Sequence, residues 1–292
     1  VIETDVQPTP VAKFPVLISY AYARDDEAMF ARFAQRDDVE VLLDCGAFTA
    51  LNTGEPISLG EYMAFLRRWG SRLFGYLALD VVGDPVGTDV NLSKMLDAGL
   101  RPIPVHVRGD GQERMDQLFG LSDWVACGGV RRPHAGHSSR SYVKQKMIWA
   151  RGRNVHWLGY TNHAMARAFK PYSCDCSNMS MGYRYGNMQI YLGSWRWSNR
   201  GSRSSGSLAT PFTRQEASAI ESSGLSVKSF RTDAVTDPNI MKNPIAYITA
   251  WSWVKFAAEA RRLIGTRVFM ACDPGRPYET DLLLELIDRT KL

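Results

Sequence analysis

Eight near-continuous apolar runs, each followed by a polar or amphipathic stretch, constrain this chain more than any other feature. They are VLISYAY (16–22), EVLLDCG (40–46), GYLALDVV (75–82), RPIPVHVR (101–108), DWVACGGV (123–130), NVHWLGYT (154–161), PYSCDCS (171–177) and TRVFMAC (266–272). Strands this uniformly apolar are buried on both faces, which is the habit of a parallel sheet covered by helices. Helical patterns fill the gaps. Ser58 and Glu61 form a capping-box signature ahead of Leu59, Tyr62, Met63, Leu66 and Trp69, whose spacing makes one apolar face. Eight such units, with a last helix from about Glu279 onward, predict an α/β chain folded as a (β/α)8 TIM-type barrel. An open doubly wound sheet is the rival, but no G-x-G-x-x-G follows any strand. At 292 residues and 45% hydrophobic, the chain can bury one large core, so residues 1–292 are read as a single barrel domain.

The repeat is interrupted once. Residues 178–243 separate the seventh strand from the helix IAYITAWSWVKFAAEARRLI. Within this insertion MQIYLGSWRW alternates like a hairpin, NRGSRSSGS reads as a loop, and Thr213 with Glu216 opens a short helix that closes near Gly224. Because it follows the carboxyl end of a strand, the insertion is expected to overhang the active-site face. Charge concentrates in the same place. From Cys176 to Gln215 there is no Asp or Glu, while Arg184, Arg196, Arg200, Arg203 and Arg214 fall there. That stretch carries the whole formal net charge of +5, and such concentration predicts contact with a polyanion. Arg for phosphates, with Trp195 and Trp197 for unstacked bases, is the combination of a nucleic-acid groove. The alternative for both Trp residues is a hydrophobic plug that fastens the hairpin to the barrel.

No apolar stretch approaches the length that spans a bilayer, and VIETDVQPTPVAKF lacks the basic-then-apolar order of a signal peptide. Five Cys residues, an odd number without regular spacing, point to a reduced, cytoplasmic protein.

The candidate chemistry lies at strand ends. The run LLDCGAFTALNTG carries an apolar strand into Asp44, FGYLALDVVGD carries another into Asp80, and Asp175 sits within PYSCDCSN. A carboxylate at the carboxyl end of a buried strand is costly to place unless it has a task. Along the seventh strand Cys174 and Cys176 share one face and Asp175 takes the other, so thiols in the helix layer put Asp175 at the barrel mouth. Two carboxylates across a pocket suit glycosyl transfer, one attacking the anomeric carbon and one moving protons. From the residues alone, a retaining glycosidase and a metal-dependent hydrolase both remain open.

These same segments resemble the tRNA-guanine transglycosylases. DCGAFT is similar to their D-S-G-G-F-Q segment, ALDVVGDP to the strand of their base-reading Asp, and ACGGV to their double-glycine strand. HWLGYT stands where they have L-M-G-V-G, and SCDCS falls at their nucleophile strand. The order holds from about residue 16 to residue 190. LDVVGDPVGTDVN followed by RPIPVHV is closer to the DNA 7-deazaguanine transglycosylases of phages and bacteria than to the tRNA enzymes.

The resemblance implies Asp175 as nucleophile on C1′, Asp44 as general base, and Asp80 as reader of the base's N1–H and exocyclic amine. It places the Gly129 N–H at the base's O6, with Gly128 permitting close approach. His106 or Arg108 would stand where the tRNA enzymes use a Gln, the alternative for His106 being a structural histidine. It further implies DNA and a free, preQ0-like 7-deazaguanine base as partners, no cofactor, and action in a bacterial cytoplasm, the host's if the chain is phage-encoded. The tRNA enzymes' C-x-C-x-x-C zinc subdomain has no counterpart pattern here, so no metal site is expected. The same exchange on tRNA, a catalytically silent nucleic-acid-binding barrel, and a glycoside hydrolase are the competing readings.

Overall fold

The protein is represented by a computed structural model that describes residues 13–130, 138–201, 210–230, 243–273 and 277–290. Ten strands are described: β1 (Phe14–Ser19), β2 (Val39–Asp44), β3 (Gly75–Tyr76), β4 (Val105–His106), β5 (Trp124–Cys127), β6 (Asn154–Trp157), β7 (Ser173–Cys176), β8 (Gln189–Gly193), β9 (Arg196–Asn199) and β10 (Arg267–Cys272). Eight form one parallel sheet in the order β3-β2-β1-β10-β7-β6-β5-β4. The sheet curls until its outer strands meet. Leu77 and Ile103 form a parallel bridge, the Ile103 N–H reaching the Tyr76 carbonyl at 2.8 Å and the Ala78 N–H the Ile103 carbonyl at 2.9 Å. Helices flank the strands, giving the TIM-like arrangement that the eight apolar runs predict.

The late strand β10 lies between β1 and β7, pairing Val16 with Met270 and Asp175 with Phe269. The segment 266–272 thereby fills the gap that the insertion would otherwise leave. Rings from non-adjacent strands meet inside the curl: Phe74 with Trp124 and Phe269, and His156 with Phe269. At the amino-terminal end Arg267 stacks over Phe74 and Tyr172 and pairs with the buried Glu40, which also takes Arg261. A charged residue is tolerated there because each carboxylate oxygen meets a guanidinium.

The helix Pro244–Ile264 explains where the insertion goes. From Pro244 to Val254 every residue is buried, so no face is left for water and the helix needs a second covering layer. The β8–β9 hairpin supplies it. Gln189 and Tyr191 donate backbone N–H bonds to Thr249 Oγ1 and Ser252 Oγ, and the Ser194 N–H reaches Glu259. The hairpin thus lies along the flank of this helix, and its Trp197 ring also meets His163, in the segment that follows β6. The short helix Arg214–Ser222 follows, opened by the reciprocal Thr213–Glu216 capping box.

Candidate active site

Two of the three strand-end carboxylates come together. Asp44 ends β2, opposite Ser19 of β1 in register. The chain then turns sharply through Gly46 at φ 82°, whose N–H bonds Asp44 Oδ2 at 3.0 Å. A Cβ at Gly46 would lie 2.8 Å from Ala21, so only glycine permits this turn. Burial pushes the Asp44 pKa up to about 6, with the neighbouring Asp175 charge adding to it. The Gly46 N–H, the Ser19 hydroxyl and His156 oppose the rise. Ser19 Oγ acts there as a nearby dipole, because it is buried and has no partner at hydrogen-bonding geometry.

Asp175 is itself buried, 6% exposed, on β7. Its Oδ1 accepts the Gly159 N–H at 2.7 Å and faces His156 Nε2 at 3.1 Å. His156 comes from β6, one strand over, and its Nδ1 meets Ser173 Oγ at 2.8 Å. Serine, histidine and aspartate in one hydrogen-bonded row are the parts of an acyl-transfer triad. Here the row runs the other way. Ser173 is wholly buried, whereas Asp175 lines a pocket of about 530 Å³ together with Ser19, Phe48, Tyr160, Asn178 and Arg184. The group that can meet a substrate is the carboxylate, and Ser173 and His156 stand behind it.

His156 was invisible to the sequence patterns as a site residue, although it is the polar break in the otherwise apolar core of NVHWLG. Phe48, in the short helix after Gly46, is the other omission. It is 68% exposed and lines the pocket, which gives a flat ring on the wall beside Asp175.

Asp80 stands apart from this pair. Its Oδ1 accepts from Thr88 Oγ1 at 2.8 Å, and burial raises its pKa while the Thr88 and Val81 contacts oppose. The buried Cys45 thiol feels the charges of both Asp80 and Asp44. Gly128 is held by Tyr142, whose hydroxyl donates to its carbonyl at 2.9 Å. Gly129 has φ 75°, and a Cβ there would press on Arg108 at 3.1 Å. Like Asp44, none of Asp80, Gly128 and Gly129 lines the 530 Å³ pocket.

His106 turns out into the helix layer. Its Nδ1 meets the buried Lys146 amine at 2.9 Å and its Nε2 the Gly111 carbonyl at 3.1 Å. Burial, before any charge effect, depresses its pKa to about 4, so it is a neutral ring with both nitrogens engaged. That arrangement answers to the structural alternative for His106 and leaves no nitrogen for a base.

The expected nucleic-acid residues are mostly occupied as well. Arg200 forms a buried, two-pronged pair with Glu216 at 2.6 and 2.8 Å, and stacks over Phe212. Arg184 pairs with Glu279 at 3.3 Å while lining the pocket. Trp197 packs against Trp253, Tyr191 and Phe256, and Trp195 against Phe256. Both Trp rings therefore help fasten the hairpin to its helix, and each stays partly exposed. Arg196 is exposed, and Arg203, like His134 and His137, lies outside the described residues.

The five cysteines are buried and form no disulfide, and no cluster of His, Cys, Asp and Glu that could hold a metal occurs among the described residues. No described helix is long and apolar enough to cross a membrane. No family model, no curated protein and no solved structure matches the chain.

Proposed function

We propose that this protein exchanges a guanine of DNA for a free 7-deazaguanine base, passing through a covalent glycosyl ester on Asp175. The observation that carries the reading is the Asp44–Asp175 pair, two neighbouring carboxylates in different settings, of which Asp175 lines the pocket and Asp44 stands behind its wall. Environments that hold paired carboxyls differently assign one to nucleophilic and one to proton-transfer work. Asp175 Oδ1 is taken by Gly159 and His156, which fixes the group and turns Oδ2 to the reaction. Oδ2 attacks C1′ of the nucleoside, and the C1′–N9 bond breaks. Asp44, protonated in a fraction of molecules near neutral pH because burial holds its pKa near 6, gives its proton to N9 of the leaving guanine. It then takes the N9 proton of the incoming deazaguanine, whose N9 attacks C1′ and releases Asp175. One carboxyl serves as acid and base because its pKa lies close to working pH.

Two further features support a ligand here. Ser19 lines the pocket beside Asp175, with a hydroxyl that is buried and without a partner at hydrogen-bonding geometry. The exposed Phe48 ring offers a stacking platform to a planar base. The volume lies within the range that small-ligand pockets occupy. A base reaches such a site only after leaving its stack, so a flipped or single-stranded target is required.

Incubation with radiolabelled deazaguanine and either DNA or tRNA tests the reading. Label in DNA is expected. Label in tRNA alone would transfer the same chemistry to RNA, and release of sugar from oligosaccharides without base exchange would make the protein a glycoside hydrolase.

A further inference from the structure

The covering layer on the helix Pro244–Ile264 fits only its apolar half. Beyond Trp251 the outward face carries Lys255, Glu259 and Arg262, and the facing surface of the helix Arg214–Ser222 carries Arg214, Gln215 and Ser218. The two helices leave a cleft of about 1190 Å³ between them, floored by Leu192, Gly193 and Trp251. Arg214, Lys255 and Arg262 are exposed around it, and none of them has an ion-pair partner among the described residues. Glu259, the acidic residue of the cleft, is engaged by the Ser194 N–H at 3.1 Å. Arg261 is committed to Glu40.

We propose that this cleft binds the phosphodiester backbone of a nucleic-acid strand. Like charges set around an open groove repel one another until an anion lies between them. The volume exceeds the upper range of small-ligand pockets, which favours an extended polyanion over a single phosphate or a free nucleotide. The apolar floor is compatible with sugars and base edges, which a lone inorganic anion does not bring. Arg196 adds a fourth exposed cation at the hairpin end, in register with the cleft residue Gly193. Of the described arginines between Cys176 and Gln215, Arg196 and Arg214 are exposed at this flank, while Arg184 and Arg200 pair within the fold. This proposal rests on the polynucleotide half of the functional reading and is independent of the base-exchange chemistry.

The test is fluorescence anisotropy with a labelled single-stranded oligonucleotide across a salt series, comparing the wild-type protein with the triple variant Arg214→Gln, Lys255→Gln, Arg262→Gln. If all three side chains touch phosphate, the slope of log K against log salt becomes shallower by about two, at roughly 0.7 per contact for a single strand. Affinity at low salt falls by about tenfold or more. The charge-conserving variant Arg214→Lys, Lys255→Arg, Arg262→Lys should restore both, which separates charge loss from misfolding. An unchanged slope and affinity in the Gln variant would overturn the proposal. So would preferential binding of polyglutamate over the oligonucleotide, which would assign the cleft to an acidic protein. Wild-type protein that binds through these residues yet incorporates no deazaguanine would sink the enzymatic reading and leave the cleft standing.

Discussion

His156 Nε2 stands 3.1 Å from Asp175 Oδ1, reaching across from the neighbouring strand with its other nitrogen on Ser173. The contact makes the imidazole a positioning group for the carboxylate that faces the pocket. Removing the ring while keeping its bulk, as in His156→Leu, should lower turnover by about 10- to 100-fold with little change in KM for the base. His156→Gln, which keeps an N–H near the Nε2 position, should recover much of that loss. Equal damage from the two variants would mean that the ring only fills space.

Asp175→Asn should abolish the covalent protein–DNA adduct, because an amide is a poor nucleophile towards an anomeric carbon. Denaturing gel electrophoresis after incubation with substrate reads the adduct directly. An adduct that survives in the Asn variant would move the nucleophile elsewhere.

Asp44 also leaves a mark on stability. Its folded pKa is near 6, above the value of about 3.9 for an unfolded Asp. Between those values the native protein holds a proton that the unfolded chain has released, so stability falls as pH rises through the window. The penalty is complete above about pH 6 and amounts to roughly 2–3 kcal/mol as an upper bound. Asp44→Asn should therefore raise Tm at pH 8, do little at pH 4, and abolish exchange activity. Thermal melts at the two pH values decide it, and a rise of equal size at both would detach the effect from ionisation.

The Arg200–Glu216 pair behaves oppositely. Hydrogen bonds from Arg200 hold the Glu216 carboxyl down to about 2, so its contribution is present above the unfolded value of about 4.3 and is lost as pH falls towards 2. Arg200→Ala should cost about 3–5 kcal/mol by stranding a buried carboxylate. Urea titration at neutral pH measures this, and a change below about 1 kcal/mol would show the pair to be dispensable.

Trp197→Ala should destabilise by about 3 kcal/mol, given the loss of large aromatic contacts with Trp253 and Tyr191. It should leave the salt dependence of oligonucleotide binding unchanged. A folded Trp197→Ala protein of wild-type stability with selectively weakened binding would restore the ring to a base-stacking role.

Much of the barrel was legible in the sequence because its signals are local. A strand buried on both faces must be apolar along its own length, and Thr213 must lie three residues before Glu216 to cap a helix. Asp44 and Asp175 were legible for the same reason, since strand alternation determines which residue of SCDC turns away from the thiols. His156 was not, because its partner lies 19 residues along the chain, on the next strand. Only the register of β6 against β7, His156 opposite Ser173, brings the imidazole to the carboxylate.

The insertion marks the same boundary. By sequence alone the chain determined a run of arginines without acids, a hairpin, and a helix after it. Only the packed molecule shows that this helix is buried at every residue from Pro244 to Val254, and that the hairpin with its Trp residues helps cover it. Which arginines keep their charge in solvent was decided by the tertiary structure. Glu279 reaches Arg184 from 95 residues away and Glu216 closes on Arg200 from 16, and a guanidinium neutralised inside the fold is no longer available to a phosphate. Net charge belongs to the chain, but its field belongs to the packed molecule, because ion pairing depends on distance in space and on burial.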